Sequence, residues 1–141
     1  MEICFNKCKL QPKIRVVPIP KPQLQTPSRI MKMKFCAVVV RSLPANAMAL
    51  YPFMLFKSKL QKADPLLINH EQIHFRQQLE LLILPFYILY LLHYLLNRIR
   101  YKKHDQAYMH ICFEREAYAH DRDMNYLRTR KPYAWIRFIK A

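Results

Sequence analysis

Not one of the 141 residues is glycine, and that absence limits the backbone this chain can build. Average usage would place roughly ten glycines in a chain of this length. Glycine supplies positive φ and lets backbone approach a ligand closely. A Walker A loop, a dinucleotide-binding GxGxxG turn, an EF-hand loop and a GxSxG nucleophile elbow are therefore excluded. Whatever chemistry the protein performs has to come from side chains.

Composition sets the class. Hydrophobic residues make up 52%, enough for one small core and too many for a disordered chain. Lys and Arg number 24 against nine acids, a formal charge of +15, which predicts affinity for a polyanion. Residues 1–34 carry five prolines and eight Lys or Arg against the single acid Glu2, and so read as a flexible, cationic, Pro-rich arm. The arm has few aromatics and no nucleic-acid-binding motif, so nucleic acid ranks last among partners and an anionic lipid surface ahead of it. The four cysteines (Cys4, Cys8, Cys36, Cys112) form no Cys-x-x-Cys pair, which favours a reducing compartment. No signal-peptide pattern is read, and a cytoplasmic or membrane-associated location is expected.

Residues 35–41 are a β-branched run that reads as a strand. Residues 47–56 form a second apolar run in which Pro52 argues for an edge strand. Asp64 followed by Pro65 suits a helix start, an aspartate cap with proline at the first helical position, and the helix runs to about residue 84. After Pro85, residues 86–97 are almost wholly apolar, with Tyr87, Tyr90, His93 and Tyr94 interspersed. Asp105 can cap a last long helix to about residue 127. The fold class expected is α+β: a short β-hairpin or edge strands, then a three-helix core over residues 35–128, then a basic aromatic tail over 129–141.

His70-Glu71-Gln72-Ile73-His74 is an HExxH motif inside the first long helix. Histidines at i and i+4 share a helical face, so both imidazoles can reach one tetrahedral zinc ion. Glu71 then stands beside the open coordination position as a general base for a metal-activated water. A catalytic zinc needs a third protein ligand. On the last helix Glu114 falls on the apolar stripe with Ala107, His110, Ile111, Ala117 and Asp121, where a carboxylate is costly unless paired or bound to metal. The plainer alternative pairs Glu114 with an arginine such as Arg76. Glu116 is expected to face solvent.

These residues resemble the gluzincin zinc metallopeptidases. HEQIHFRQQ followed by EREA is similar to small bacterial peptidase-like domains carrying HExxHxxQQ with a downstream ExEAD, and more distantly to the membrane-bound CAAX-prenyl-protease class. The resemblance covers residues 65–127. It implies a zincin-like core with one Zn2+, His70, His74 and Glu114 as ligands, Glu71 as base, and hydrolysis of a peptide bond. It also implies that a peptide or protein substrate docks along an edge strand, here residues 47–57. Tyr118 stands where those families place an aspartate that orients a ligand histidine. Asp121, His110 and Gln77 are candidates for that supporting role, and Tyr118 or His110 for stabilising an oxyanion.

Length decides whether this zinc site is possible. One straight helix over 65–97 would put Arg98 about 36 Å beyond His74, and Glu114 could return only roughly 20 Å along the next helix. The zinc reading therefore requires a break near Pro85, with 86–97 folded back on the zinc helix or dipping into a bilayer. Arg98, Arg100, Lys102, Lys103 and the Trp135 tail resemble interfacial anchors. Two alternatives to the peptidase stand beside it: a non-enzymatic basic protein on an anionic membrane surface, and a degenerate zinc fold without turnover.

Overall fold

The Asp64 carboxylate accepts from the amides of Leu66 (2.9 Å) and Leu67 (3.4 Å), and Pro65 occupies the first turn, so the long helix starts where the sequence puts it. In this computed structural model, which describes residues 34–140, it is α2 (Pro65–Glu80). The cationic arm, with Cys4 and Cys8, lies outside the described residues except for Lys34.

Three strands, β1 (Cys36–Val39), β2 (Ala47–Leu50) and β3 (Phe53–Phe56), form one sheet in the order β1-β3-β2. β1 runs parallel to β3, and β2 pairs antiparallel with it in the register Ala47↔Phe56 to Leu50↔Phe53. The run at 47–56 is therefore a hairpin and not one edge strand. Pro52 sits in its turn, where its missing N–H costs no ladder bond. The expected docking edge narrows accordingly, because β3 is central and only β2 keeps an open side. Ala47, Ala49, Met54 and Phe56 pack with Phe75 of α2 into one core cluster.

A short helix, α1 (Lys59–Lys62), precedes α2. α3 (Leu84–Arg100) follows it at a bend of 112°. The required break is present, but α2 stops at Glu80 rather than near residue 84. Leu82 (φ 60°) and Ile83 (φ 20°) make the turn with positive φ, the conformation a glycine would adopt at no steric cost. Pro85 falls in the first turn of α3, where a proline is tolerated. α3 continues to Arg100, and Asn97 is a buried interior residue donating to the Ala107 carbonyl (3.1 Å) instead of a terminus.

The expected long last helix is three pieces: α4 (His104–Met109), α5 (Cys112–His120) and α6 (Tyr126–Thr129). Asp105 lies in the first turn of α4, whose cap is Lys103. The α5 end also lacks a glycine cap. Asn69 of α2 reaches across and donates to the carbonyls of His120, Asp121 and Asp123 (2.8–3.3 Å), covering acceptors that a helix end leaves unpaired. A 3-10 turn (Ala134–Phe138) packs on α5, with Trp135 against Phe113 at 4.9 Å between ring centroids.

Among the described residues the architecture is α+β, with six helices and one three-stranded sheet. Leu82 is largely exposed, so glycine there loses little burial while removing a left-handed leucine. Leu82→Gly is expected to raise the unfolding free energy by about 0.5–1 kcal/mol, the relief of strain less the freedom glycine adds to the unfolded chain. Urea titration measures it, and a lowered midpoint would show that the joint is unstrained.

Candidate metal centre

Helical spacing carries His70 and His74 to the face of α2 that meets α5, and α5 presents Glu114 opposite them. The separations are 3.2 Å between the two histidine Nε2 atoms, 3.4 Å from His70 Nε2 to Glu114 Oε2, and 3.3 Å from His74 Nε2 to Glu114 Oε1. All three residues are buried. Ligand atoms about 2.0–2.1 Å from a tetrahedral zinc ion lie roughly 3.3–3.4 Å from one another. Each of the three separations is of that size, although the two histidines face different Glu114 oxygens, and one ligand atom from each residue lies within 4.8 Å of the others.

Glu114 carries a second mark of fit. Tyr90 of α3 donates to its Oε1 at 2.7 Å, yet Oε2 is buried with no hydrogen-bond donor aligned on it. A buried carboxylate oxygen without a donor is costly unless a cation takes its lone pair. Burial alone would raise the pKa of Glu114, but the neighbouring His74 and His70 override it and hold the carboxyl well below its usual range. His74 shows the counterpart. Burial would lower its pKa, and the Glu114 carboxylate pushes it instead to about 9. Glu114 and His74 thus favour each other's charged forms, and the alternative pairing of Glu114 with Arg76 is not formed.

Gln77 sets the orientation of His74. Its Nε2 donates to the Phe113 carbonyl (3.1 Å) and to Glu116 Oε2 (3.0 Å), so its oxygen has to face the ring, where it lies 2.8 Å from His74 Nδ1. A carbonyl oxygen only accepts, so Nδ1 carries the proton and Nε2 is the nitrogen left for a metal. Behind Gln77, Glu116 accepts from Tyr126 Oη (2.9 Å) and from the Arg130 guanidinium, which also pairs with Glu80. Glu116 is completely buried, contrary to the solvent-facing position expected of it. Its partner comes from the stretch after α6, a separation in sequence that helical periodicity cannot detect.

Glu71 lies beside the triad and is also buried. Burial raises its carboxyl pKa, opposed by the nearby His74 and His70 and by the backbone amide of Ala49. Glu71, His74 and Glu114 line a cavity of about 330 Å³ bounded by Ala47 and Ala49 of β2 and by Tyr87 and Tyr90 of α3. The outward edge of β2 meets this cavity. At its far end the Gln78 amide accepts from Tyr51 N–H (2.9 Å) and donates to the Ala49 carbonyl (2.8 Å), the two bonds a neighbouring strand would make. Tyr87 Oη also donates to that carbonyl (3.0 Å).

The other candidates separate clearly. Tyr118, half exposed, sets its ring edge-on to His70 at 4.5 Å, so it contacts that histidine without replacing the expected aspartate. His110 stacks on Tyr101 at 4.2 Å and lies 2.7 Å from the Gln106 carbonyl, and it lines neither the triad nor the cavity. Asp121 contributes its backbone carbonyl to Asn69, not a carboxylate to the histidines. Tyr90 went unassigned in the sequence. Its spacing from Phe86 marks it as inward-facing, but only the bend at 81–83 reveals that it meets Glu114.

No family model, curated protein or solved structure matches this chain.

Two substitutions test the polar framework behind the triad. Arg130→Met leaves Glu116 and Glu80 without their cation and is expected to cost about 3–5 kcal/mol in chemical denaturation, as for other broken buried pairs. A loss under 1 kcal/mol would mean that Glu116 is solvated. Gln77→Leu frees the His74 ring and is expected to weaken divalent-metal binding by about 10–100-fold in a chelator competition. Unchanged affinity would remove Gln77 from the orienting role.

Proposed function

We propose that this protein is a minimal zinc-dependent metallopeptidase of gluzincin type. The observation that carries the reading is the convergence of His70 Nε2 and His74 Nε2, 3.2 Å apart, on the two Glu114 oxygens at 3.4 and 3.3 Å, set beside a buried glutamate in an open cavity. His70, His74 and Glu114 are the three residues that would hold the ion. Bound there, zinc supplies Lewis acidity, which polarises a carbonyl and acidifies a water.

The chain's own groups do the rest. Glu71 is the proton acceptor, and its burial makes it a better base than a surface carboxylate. Gln77 keeps His74 in the tautomer that leaves Nε2 free. Tyr90 fixes one Glu114 oxygen. A peptide substrate docks along the open edge of β2 near Ala47, because Gln78 and Tyr87 already occupy the Ala49 carbonyl. The resemblance of HEQIHFRQQ and EREA to gluzincin motifs supports the same assignment.

Metal analysis joined to a peptide-hydrolysis assay tests it. Purified wild-type protein is expected to hold one zinc per chain, and His70→Ala to lose it. Glu71→Gln should keep zinc and lose about 10²–10⁴-fold in turnover, the usual contribution of a general base. Absence of zinc from the wild type, or zinc retained in His70→Ala, would end the proposal. Zinc without Glu71-dependent hydrolysis would leave a metal-binding fold that does not turn over.

A further inference from the structure

α3 turns its faces the wrong way for a helix in water. The residues directed at the rest of the protein are Phe86, Tyr87, Tyr90, His93, Tyr94 and Asn97, all buried or half-buried. The eight leucines and isoleucines from Leu84 to Ile99 are all exposed, Ile88 by 59% and Ile99 by 85%. At 3.6 residues per turn they fill one continuous arc of roughly 160°. Arg98 and Arg100 fall at its two borders, and Lys102 and Lys103 follow, every one of them exposed. Contiguous apolar surface of this kind marks a contact site.

Charge identifies the occupant. No acid occurs between Glu80 and Asp105. The interior also removes negative charge from the surface: Glu71, Glu114 and Glu116 are buried, and Glu80 is tied to Arg130. The only other described acids are four aspartates, one of which, Asp64, caps α2. A second copy of a chain with a net charge of +15 would be repelled, whereas an anionic surface is attracted. Nucleic acid offers no apolar layer for the leucines. Among the described residues no single helix is long and apolar enough to cross a membrane, and α3, at 17 residues, is about 25 Å long.

We infer that α3 lies in the plane of an anionic lipid bilayer, with its Leu/Ile arc immersed in the acyl region and its arginines and lysines on the headgroups. Such a helix usually keeps a charged face in water. Here the protein body covers that face instead. Because Phe86, Tyr87 and Tyr90 of the same helix line the cavity beside His74, the membrane-bound helix is also a wall of the candidate site.

Vesicle co-sedimentation of the full chain tests the inference, comparing pure phosphatidylcholine with phosphatidylcholine containing phosphatidylglycerol. Wild type is expected to bind the anionic vesicles. The triple variant Ile88→Gln, Leu92→Gln, Leu95→Gln alters only exposed positions, and is expected to stay helical by circular dichroism while losing about a hundredfold in binding. Arg100→Gln with Lys102→Gln should lower binding to anionic vesicles by roughly fivefold per charge and spare binding to neutral ones. Failure of the wild type to bind overturns the inference. So does a triple variant that binds as wild type does, or a lipid-free dimer that the triple variant dissociates. Zinc content measured on the same preparations is independent of vesicle binding, so loss of this surface and loss of the metal reading remain distinguishable.

Discussion

Two carboxylates two residues apart on one short helix, both buried, govern how the rest of the chain packs. Glu114 and Glu116 cannot be withdrawn from water unless other elements bring them partners. Glu114 draws His70 and His74 from α2 and Tyr90 from α3, so it holds the bent pair of helices together. Glu116 draws Gln77 from α2, Tyr126 from α6 and Arg130 from beyond it. Gln77 joins the two systems, with its amide nitrogen on Glu116 and its oxygen on His74. A hydrogen-bond chain therefore runs from Arg130 through Glu116 and Gln77 to His74 Nδ1. Linked polar groups at low dielectric reinforce one another when all are satisfied. The exception is the unmatched Oε2 of Glu114, which lies 3.4 Å from His70 Nε2.

The lack of glycine shapes the route the chain takes to that arrangement. α2 and α3 have to meet at a sharp angle for Glu114 to reach the histidines, yet the joint is built from Leu82 and Ile83. The fold accepts a leucine in left-handed geometry because the bond from Ile83 N–H to the Gln78 carbonyl (2.8 Å) closes the turn, and Pro85 prevents the helix from running on. At the end of α5, Asn69 supplies from a neighbouring helix what a glycine-based cap would supply locally. This second solution uses a tertiary contact where most chains use a local residue, which ties the end of α5 to the packing of α2.

What the sequence revealed follows from the range of the interactions. Asp64, Pro65, the histidine pair and the inward stripe carrying Glu114 are local patterns, and each is found where periodicity or capping chemistry put it. The division of 47–56 into β2 and β3 was hidden because Pro52 suits an edge strand as well as a turn. The interruption at His110 and Ile111 was hidden because the apolar stripe keeps its phase across it. Glu116 was misread because its partner, Arg130, lies 14 residues away on a segment expected to be a separate tail. The proposed metal site rests on the same local motif, now joined by a geometry that the motif alone does not supply.

α3 shows why a composition reading stops short. Its sequence is apolar on nearly every side, which suits a helix enclosed in a core, and a chain this small cannot enclose it. The folded arrangement turns the residues with hydroxyl, amide and imidazole groups inward, because Glu114, the Ala49 carbonyl and the Ala107 carbonyl need donors: Tyr90, Tyr87 and Asn97 supply them. Once those positions are fixed by hydrogen bonding, helical geometry leaves the leucines only the opposite face. The exposed apolar arc is thus a consequence of satisfying the polar interior, and the buried acids that require those donors also leave the outer surface more cationic than the composition implies.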